Sequence, residues 1–187
     1  MRIISGTSRG RRLRTTKGHS LRPTSDRVKE SIFNIIGEEV RGKVVLDLFA
    51  GTGNLGIEAL SRGAKRAVFV ERAREALRTI QENLLQCGFS NQGEILPREV
   101  SRAIGILEAR GESFDLILMD PPYEKGWVER TLIKLNHHKI YQEGSLLVIE
   151  HGRRERLPQE MGRWTQWKER GIGDTIVSIF RFGDEPQ

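Results

Sequence analysis

Short apolar runs alternate with helix-like patterns along most of the chain. Runs typical of buried strands occupy residues 44–48, 67–70, 95–96, 114–119 and 145–150. Apolar residues at helical spacing predict a helix over residues 25–37 and further helices after residues 53, 71, 97 and 126. Residues 164–170 and 175–182 alternate around a glycine-containing turn, which predicts a terminal hairpin. Strands interleaved with helices predict a doubly wound α/β sheet.

The chain is organised around residues 43–60, KVVLDLFAGTGNLGIEAL. A predicted strand is followed at once by Gly51, Gly53 and Gly56 and then by a helix pattern, so a tight turn joins strand to helix. Glycine lets the main chain approach a ligand, and a helix start presents unpaired N–H groups. Asp47 adds an acceptor at the carboxyl end of the strand, where ligands bind in such sheets. The turn alone is weak evidence, because glycine also serves packing.

Two further predicted strands end in acidic residues. Glu71 follows the second run, where a carboxylate can accept from ribose hydroxyls. The run at residues 114–119 ends in Asp120-Pro121-Pro122-Tyr123. DLFAGTGNLG resembles the first motif of S-adenosylmethionine-dependent methyltransferases, and DPPY resembles the (N/D)PP(Y/F) signature of those that methylate exocyclic amino groups of bases. The glycine turn alone is equally compatible with NAD. The choice of S-adenosylmethionine over NAD therefore depends on the resemblance of DPPY.

The resemblance implies S-adenosylmethionine as cofactor, with S-adenosylhomocysteine as product. It implies an α/β, Rossmann-like seven-stranded class I methyltransferase fold. The cofactor-binding residues that it implies are Asp47, Phe49, Gly51, Gly53, Glu71, Glu99 and Asp120. Glu99 could instead be only a first-turn acid favoured by the helix dipole. Trp127 could line the base pocket or pack in the core.

The chemistry of DPPY follows from the weak nucleophilicity of an exocyclic base amine, whose lone pair is delocalised into the ring. The Asp120 carboxylate and the Pro121 carbonyl can each accept an amine hydrogen and turn the lone pair towards the electrophilic methyl. Consecutive prolines lock the backbone that presents these acceptors. Tyr123 can stack on a base taken out of its helix. Asp120, Pro121 and Tyr123 are therefore the candidate catalytic residues.

Positive charge is concentrated at the amino terminus. The chain has 31 Lys or Arg against 25 Asp or Glu, a net charge of +6, which favours a polyanionic partner. Residues 1–24 contain no acid, and residues 2–5 and 11–15 are predicted to form a β-hairpin extension of a domain at 25–187. The alternative is a disordered basic tail. The candidate RNA-binding residues are Arg2, Arg9, Arg11, Arg12 and Arg22.

The stretches RIISGTSRGRRL and RPTSDRVKESIFN narrow the resemblance. They resemble the N-terminal signature of the bacterial RsmD family of small-subunit (16S) ribosomal RNA guanine-N2 methyltransferases. This implies methyl transfer to the N2 amine of a guanine, in RNA or in a small-subunit particle. Two alternatives stay open: an amino-methyltransferase acting on adenine N6 of DNA or RNA, and a non-catalytic RNA-binding module.

Other features predict what the chain lacks. No apolar run has transmembrane length and no signal peptide is recognisable, so we expect a cytoplasmic protein without membrane partners. The single cysteine, Cys87, is expected to pack at a helix end. We expect no metal site, and His19, His137, His138 and His151 are interpreted as solvated or phosphate-adjacent. We expect a monomer, because the sequence shows no apolar stripe beyond those assigned to the core.

Overall fold

The structure, a computed structural model, describes residues 1–15, 25–157 and 160–183 and is built around one sheet. The strands are β1 (Val44–Leu48), β2 (Arg66–Glu71), β3 (Gly93–Pro97), β4 (Phe114–Met119), β5 (Tyr141–Gly152), β6 (Glu160–Met161), β7 (Trp164–Ile172) and β8 (Thr175–Phe182). The helices are α1 (Asp26–Ile36), α2 (Asn54–Ser61), α3 (Arg74–Cys87), α4 (Val100–Ala109) and α5 (Trp127–His137). In space the strands follow the order β3-β2-β1-β4-β5-β8-β7-β6.

The strand order reverses beside β1, which pairs in parallel with both β2 and β4. From β1 the chain moves outward to β2 and β3 and then crosses back to β4 and β5. Strand β8 is inserted antiparallel between β5 and β7. Because the connections leave β1 and β4 in opposite directions, a crevice opens at their carboxyl ends. The predicted seven-stranded, doubly wound sheet is confirmed, and the 2-residue β6 is added at its edge.

Helices cover both faces of the sheet, which explains why the strands read as continuous apolar runs. Along β2, Ala67 and Phe69 join a core cluster with residues of α1, α2 and α3. Val68 and Val70 point to the opposite face and join a cluster with residues of α4 and α5. The side-chain alternation of a strand thus supplies two cores, one on each face.

The N-terminal segment reverses as predicted but forms much less strand. Ile3 N–H donates to the Arg11 carbonyl at 2.9 Å, around a single antiparallel bridge between Arg2 and Arg12. The prediction of two short strands at residues 2–5 and 11–15 is wrong beyond this single bridge, because nearby main-chain groups bind helix α2 instead. Ile4 N–H and Ser5 N–H both donate to the Glu58 carboxylate, at 2.8 and 3.0 Å. These contacts also exclude a disordered tail for residues 1–15.

Candidate active site

The glycine turn between β1 and α2 lies at the crevice beside β4. Phe49 and Gly51 have φ angles of 61° and 55°, and Gly53 at the start of α2 has 78°. Residues other than glycine rarely take this left-handed conformation, and those that do are concentrated at functional sites. A Cβ placed on Gly51 would meet nothing nearer than the Phe49 carbonyl oxygen at 3.9 Å. A ligand can therefore approach the main chain closely at Gly51.

Asp47 and Gly56 connect the end of β1 to the first turn of α2. The buried Asp47 carboxylate accepts from Gly56 N–H at 2.8 Å. Burial raises the pKa of Asp47 to about 7; the Gly56 N–H opposes this rise, and the charge of Glu71 adds to it. A Cβ on Gly56 would lie 2.3 Å from Cε1 of Phe69, so Gly56 allows α2 to pack on β2. Through this hydrogen bond Asp47 holds the start of α2 in place, and this structural role does not depend on a bound ligand.

Glu71 links the glycine turn to the start of α3. Its Oε2 accepts from Gly51 N–H at 3.0 Å, and its Oε1 accepts from the N–H groups of Arg72 and Ala73 at 2.7 and 2.8 Å. A carboxylate has about four lone-pair sites, so three main-chain donors leave capacity for another. The structure thus places Glu71 beside the glycine turn, and its contact with ribose hydroxyls stays a prediction.

Glu99 and Trp127 both line a cavity of about 240 Å³ between α4 and α5. Glu99 is the N-cap of α4, and its Oε2 accepts from Ser101 N–H at 2.9 Å and Arg102 N–H at 3.3 Å. Glu99 is therefore the capping residue of α4 and not an acid within its first turn, and its adenine contact stays a prediction. The Trp127 ring meets Phe49 edge-on, with centroids 6.0 Å apart. Trp127 thus joins the cavity to the glycine turn.

The DPPY motif follows β4 directly, on the other side of the crevice from Glu71. Asp120 is half-buried and Pro121 is buried. The Tyr123 hydroxyl donates to Glu150 Oε1 at 2.8 Å and lies 3.1 Å from Thr175 Oγ1. Burial, followed by the negative charge of Glu150, raises the pKa of Tyr123 far above its ordinary value. The phenol therefore stays protonated and serves as a fixed donor.

Sequence reasoning missed the residues that hold Tyr123. Glu150 and Thr175 bind its hydroxyl, while Gly152 leaves room for its ring, because a Cβ there would lie 3.4 Å from Tyr123 Cδ2. The signal for Glu150 was present in the sequence. It ends an apolar run, as do Glu71 and Asp120, and parallel strands bring such ends to one edge.

The interpretation of His151 as a solvated side chain is wrong. His151 is only 1% exposed, its Nε2 lies 2.9 Å from Ser178 Oγ, and its Nδ1 lies 3.1 Å from the Gly152 carbonyl oxygen. The cause is the antiparallel pairing of β8 with β5, which covers the end of β5. By contrast, the packing role of Cys87 is confirmed, since it is buried at the end of α3.

Two buried polar side chains tie the N-terminal segment to the glycine turn. Asn83 donates to the carbonyls of Arg14 and Thr52 at 3.2 and 2.9 Å and accepts from Arg14 N–H at 2.8 Å. Lys29 Nζ donates to the Arg2 carbonyl at 2.6 Å and to Asn54 Oδ1 at 2.7 Å. The N-terminal segment is therefore a structural support of the turn.

Burial lowers the pKa of Lys29, although the charge of Glu58 raises it in part. The two groups form an ion pair at 3.3 Å, with both side chains fully buried. Removing either partner would leave an uncompensated buried charge, so the pair fixes the position of α1 on α2.

The predicted RNA-binding arginines of the N-terminal segment differ in whether their guanidinium groups are already bound within the protein. Arg2 pairs with Asp26 at 3.5 Å, and the Arg11 guanidinium donates to the Gln86 carbonyl. All four side chains are exposed, but the guanidinium groups of Arg9 and Arg12 have no ion pair or hydrogen bond to a described residue. The remaining candidate, Arg22, lies outside the described residues.

Exposed basic side chains also surround the carboxyl ends of the strands. At the amino ends, Lys43 and Arg66 are held in ion pairs, whereas Lys65 and Lys139 are exposed without an ion pair to any described residue. At the carboxyl ends, most basic side chains have no ion pair within the described part of the chain. They are Arg72, Arg74, Arg98, Arg102, Lys125, Arg130, Arg153 and Arg156. Within the described residues, this edge therefore has more basic side chains without an ion pair than the amino edge, which favours contact with a polyanion.

The described residues hold neither a candidate metal centre nor a candidate membrane span. No group of three or more His, Cys, Asp or Glu side chains there could hold a metal ion. None of the helices within those ranges is long and apolar enough to cross a bilayer.

The sheet order, the glycine turn after β1 and the DPPY turn after β4 define a class I methyltransferase fold. The chain belongs to the family described as "Conserved hypothetical protein 95", whose model matches residues 1–181. The sequence-based assignment to the RsmD family is thereby confirmed.

Similarity to individual proteins extends over nearly the whole chain. It is 38% identical over 181 residues to "Putative rRNA methyltransferase YlbH" of Bacillus subtilis, covering 97% of this chain and 98% of that protein. It is 31% identical to "Ribosomal RNA small subunit methyltransferase D" of Escherichia coli K12, covering 97% and 89%. A solved structure of a hypothetical protein from Thermus thermophilus superposes with a TM-score of 0.84 at 28% identity, covering 97% and 99%.

Proposed function

We propose that this chain transfers a methyl group from S-adenosylmethionine to the N2 amine of a guanine in small-subunit ribosomal RNA, releasing S-adenosylhomocysteine. The observation that carries the proposal is that Asp120 of DPPY and the glycine turn with Glu71 end neighbouring parallel strands at one crevice. A relative that is 31% identical bears the name of a small-subunit ribosomal RNA methyltransferase, which supports the RNA substrate. Such a substrate would make the reaction cytoplasmic, and a monomer is sufficient for it.

The residues at the crevice fit the parts of this cofactor. The open main chain at Gly51 suits its amino acid portion, and Glu71, with spare acceptor capacity, suits the ribose hydroxyls. The cavity beside Glu99 and Trp127 suits the adenine ring, because it combines aromatic and apolar walls with a carboxylate. When bound, S-adenosylmethionine supplies a methyl group on a positively charged sulfur.

Asp120 and Pro121 orient the base amine. Each offers an oxygen to one amine hydrogen, so the nitrogen lone pair turns towards the crevice. The amine nitrogen would form the new N–C bond as the S–C bond breaks, the sulfur would keep the electron pair of the broken bond, and the amine would release one proton through the Asp120 carboxylate to solvent. The two acceptors stabilise the positive charge that develops on the nitrogen, and catalysis rests on alignment and electrostatics. Tyr123, protonated and held by Glu150, supplies the face on which the base stacks.

The RNA backbone would lie along the exposed positive charge at the carboxyl edge of the sheet and on the N-terminal segment. Phosphate contacts there position the polynucleotide without reading its sequence. Within the described part of the predicted N-terminal set, Arg9 and Arg12 are the exposed arginines whose guanidinium groups have no ion pair or hydrogen bond to a described residue.

The deciding experiment is methyl transfer from labelled S-adenosylmethionine to small-subunit RNA and particles that lack this modification, followed by nucleoside mass spectrometry. Asp120→Ala is run in parallel, and Glu129→Gln on the exposed surface of α5 is the charge-matched control. N2-methylguanine that disappears with Asp120→Ala and persists with Glu129→Gln supports the proposal. Methyladenine would replace it with adenine methylation, and RNA binding without any transfer would indicate a binding module.

A further inference from the structure

A short turn after β5 carries a second group of arginines next to DPPY. Glu155 N–H donates to the Gly152 carbonyl at 3.0 Å, and Gly152 N–H donates back to Glu155 Oε2 at 3.1 Å. These reciprocal hydrogen bonds close the turn. It is also fixed to the β7–β8 hairpin, because Arg153 donates from its N–H to the Asp174 carbonyl at 3.3 Å and from Nε to the Gly173 carbonyl at 2.6 Å.

The same turn touches the residue on which the target base would stack. Gly152 packs against the Tyr123 ring, and Arg154 Nη1 lies 3.8 Å from Glu124 Oε2, directly after DPPY. The fixed turn therefore places Arg154 at the rim of the proposed base pocket, and Arg156 follows it two residues later along the chain.

Arg154 and Arg156 are open to a ligand. The Arg154 side chain is 86% exposed, and its one ion pair within the described residues is with the half-exposed Glu124. Arg156 is exposed and has no ion pair with any residue that the structure describes. A solvent-exposed pair such as Arg154–Glu124 contributes about 0–1 kcal/mol, so a phosphate can replace Glu124 at little cost. Arg153, by contrast, has its guanidinium bound to the main chain and serves as the anchor of the turn.

We propose that Arg154 and Arg156 bind the RNA phosphates that flank the target guanine and so hold its sugar-phosphate backbone beside Tyr123. The inference rests on the proposed function and adds a contact surface separate from the N-terminal segment. Guanidinium groups are suited to this task, because their planar forks match phosphate oxygens. A grip on both sides of one nucleotide would favour an unpaired base that is turned into the pocket.

The test compares charge reversals at the two edges of the sheet. Arg154→Glu with Arg156→Glu is measured beside Lys65→Glu with Lys139→Glu, which makes the same charge change on exposed residues at the amino edge. RNA binding is titrated over a range of salt concentrations, and methyl-transfer kinetics are measured with saturating cofactor. A third variant, Arg154→Lys with Arg156→Lys, retains the positive charge and measures how much that charge alone contributes to RNA binding.

The arginine reversal should lower the slope of log K against log salt by about 0.7 for each lost phosphate contact, or about 1.4 in all. It should raise KM for RNA at least 10-fold, an effect of about 1.4 kcal/mol, with kcat changed much less. Arg154→Lys with Arg156→Lys keeps the positive charge and should therefore retain most of the affinity for RNA. A slope and KM equal to those of the amino-edge variant would overturn the inference and leave the proposed function standing. RNA binding by the native chain without methyl transfer would remove the proposed function, while the salt slopes would still decide whether these arginines bind RNA.

Discussion

The Tyr123 hydroxyl donates a 2.8 Å hydrogen bond to Glu150, and this bond joins the turn after β4 to the end of the neighbouring strand β5. Glu150 is 3% exposed, so its carboxylate is held in place by the sheet. The aromatic ring of DPPY is consequently positioned from its far end, with Gly152 beneath it. A ring fixed in this way would lose little freedom in the base stacking that we propose for it.

Two substitutions at Tyr123 separate the ring from the hydroxyl. Tyr123→Ala removes the stacking surface and should weaken RNA binding by about 1–3 kcal/mol, the contribution of one stacked base. Tyr123→Phe keeps the ring but leaves buried Glu150 without this donor, so it should lower the free energy of unfolding by about 1–3 kcal/mol with a smaller loss of RNA affinity. Calorimetric titration with RNA and with cofactor measures the binding losses, and urea unfolding measures the loss of stability. Equal losses of RNA and cofactor affinity in Tyr123→Ala would assign Tyr123 to the core or the cofactor site instead.

The packing of α2 on β2 predicts opposite effects for the same substitution at two helical glycines. Gly56→Ala would place its Cβ 2.3 Å from the Phe69 ring and 3.0 Å from the Asp47 carboxylate, both in a packed interior. It should lower the free energy of unfolding by about 1–3 kcal/mol or more, as overpacking does. Gly105→Ala in α4 would meet only His138 Nε2 at 3.8 Å and should gain up to about 1 kcal/mol from helix propensity. Urea unfolding measures both; a Gly56→Ala variant as stable as Gly105→Ala would contradict the packing role.

The local parts of the site could be predicted from sequence, whereas its supports could not. The glycine turn and DPPY are each continuous in the chain, and their backbone conformation depends on glycine and proline themselves. The bond between Tyr123 and Glu150 depends instead on the register of β4 and β5, and the buried position of His151 depends on β8. Periodicity predicts which residues are in strands but does not set which distant residues face one another.

The N-terminal segment likewise depends on long-range contacts that the sequence pattern did not predict. Basic composition and glycine punctuation predicted a hairpin and a phosphate-binding surface. The contacts that position the segment come from Glu58, Asn83 and Lys29, polar residues within helices that would ordinarily be expected at the surface. Their burial follows from the packing of the segment over α2 and α3.

The raised pKa of Asp47 predicts a pH-dependent stability. Its folded-state pKa of about 7 lies above the ordinary value of 3.8, so between these values the folded chain retains a proton that the unfolded chain has released. The contribution is fully present below about pH 4 and is lost as the pH rises to about 7, by at most about 4 kcal/mol. Asp47→Asn has no titrating group there and should therefore gain stability relative to the native chain across this range.

Urea unfolding from pH 4 to pH 8 measures that difference. Glu71→Gln removes a charge that raises the Asp47 pKa, so in this variant the loss of stability should end at lower pH. Parallel pH profiles for the native chain and Asp47→Asn would show that Asp47 titrates in the same range when folded and unfolded.

The bridge made by Asn83 predicts that the N-terminal segment and cofactor binding are linked. Asn83→Ala removes the amide that joins Arg14 to the carbonyl of Thr52 in the glycine turn, and it should weaken cofactor binding about 10-fold, or about 1.4 kcal/mol. Gln86→Ala, one helical turn later, is the matched control, because Gln86 donates to the Arg12 carbonyl and holds the segment without reaching the turn. Asn83 is fully buried, so Asn83→Ala should lower the free energy of unfolding by about 1–3 kcal/mol, whereas the exposed Gln86→Ala should lower it by about 0.5–1.5 kcal/mol at most. Only Asn83→Ala should lose cofactor affinity. Equal cofactor affinity in the two variants, measured by calorimetry with S-adenosylhomocysteine, would show that the segment stabilises the fold without positioning the turn.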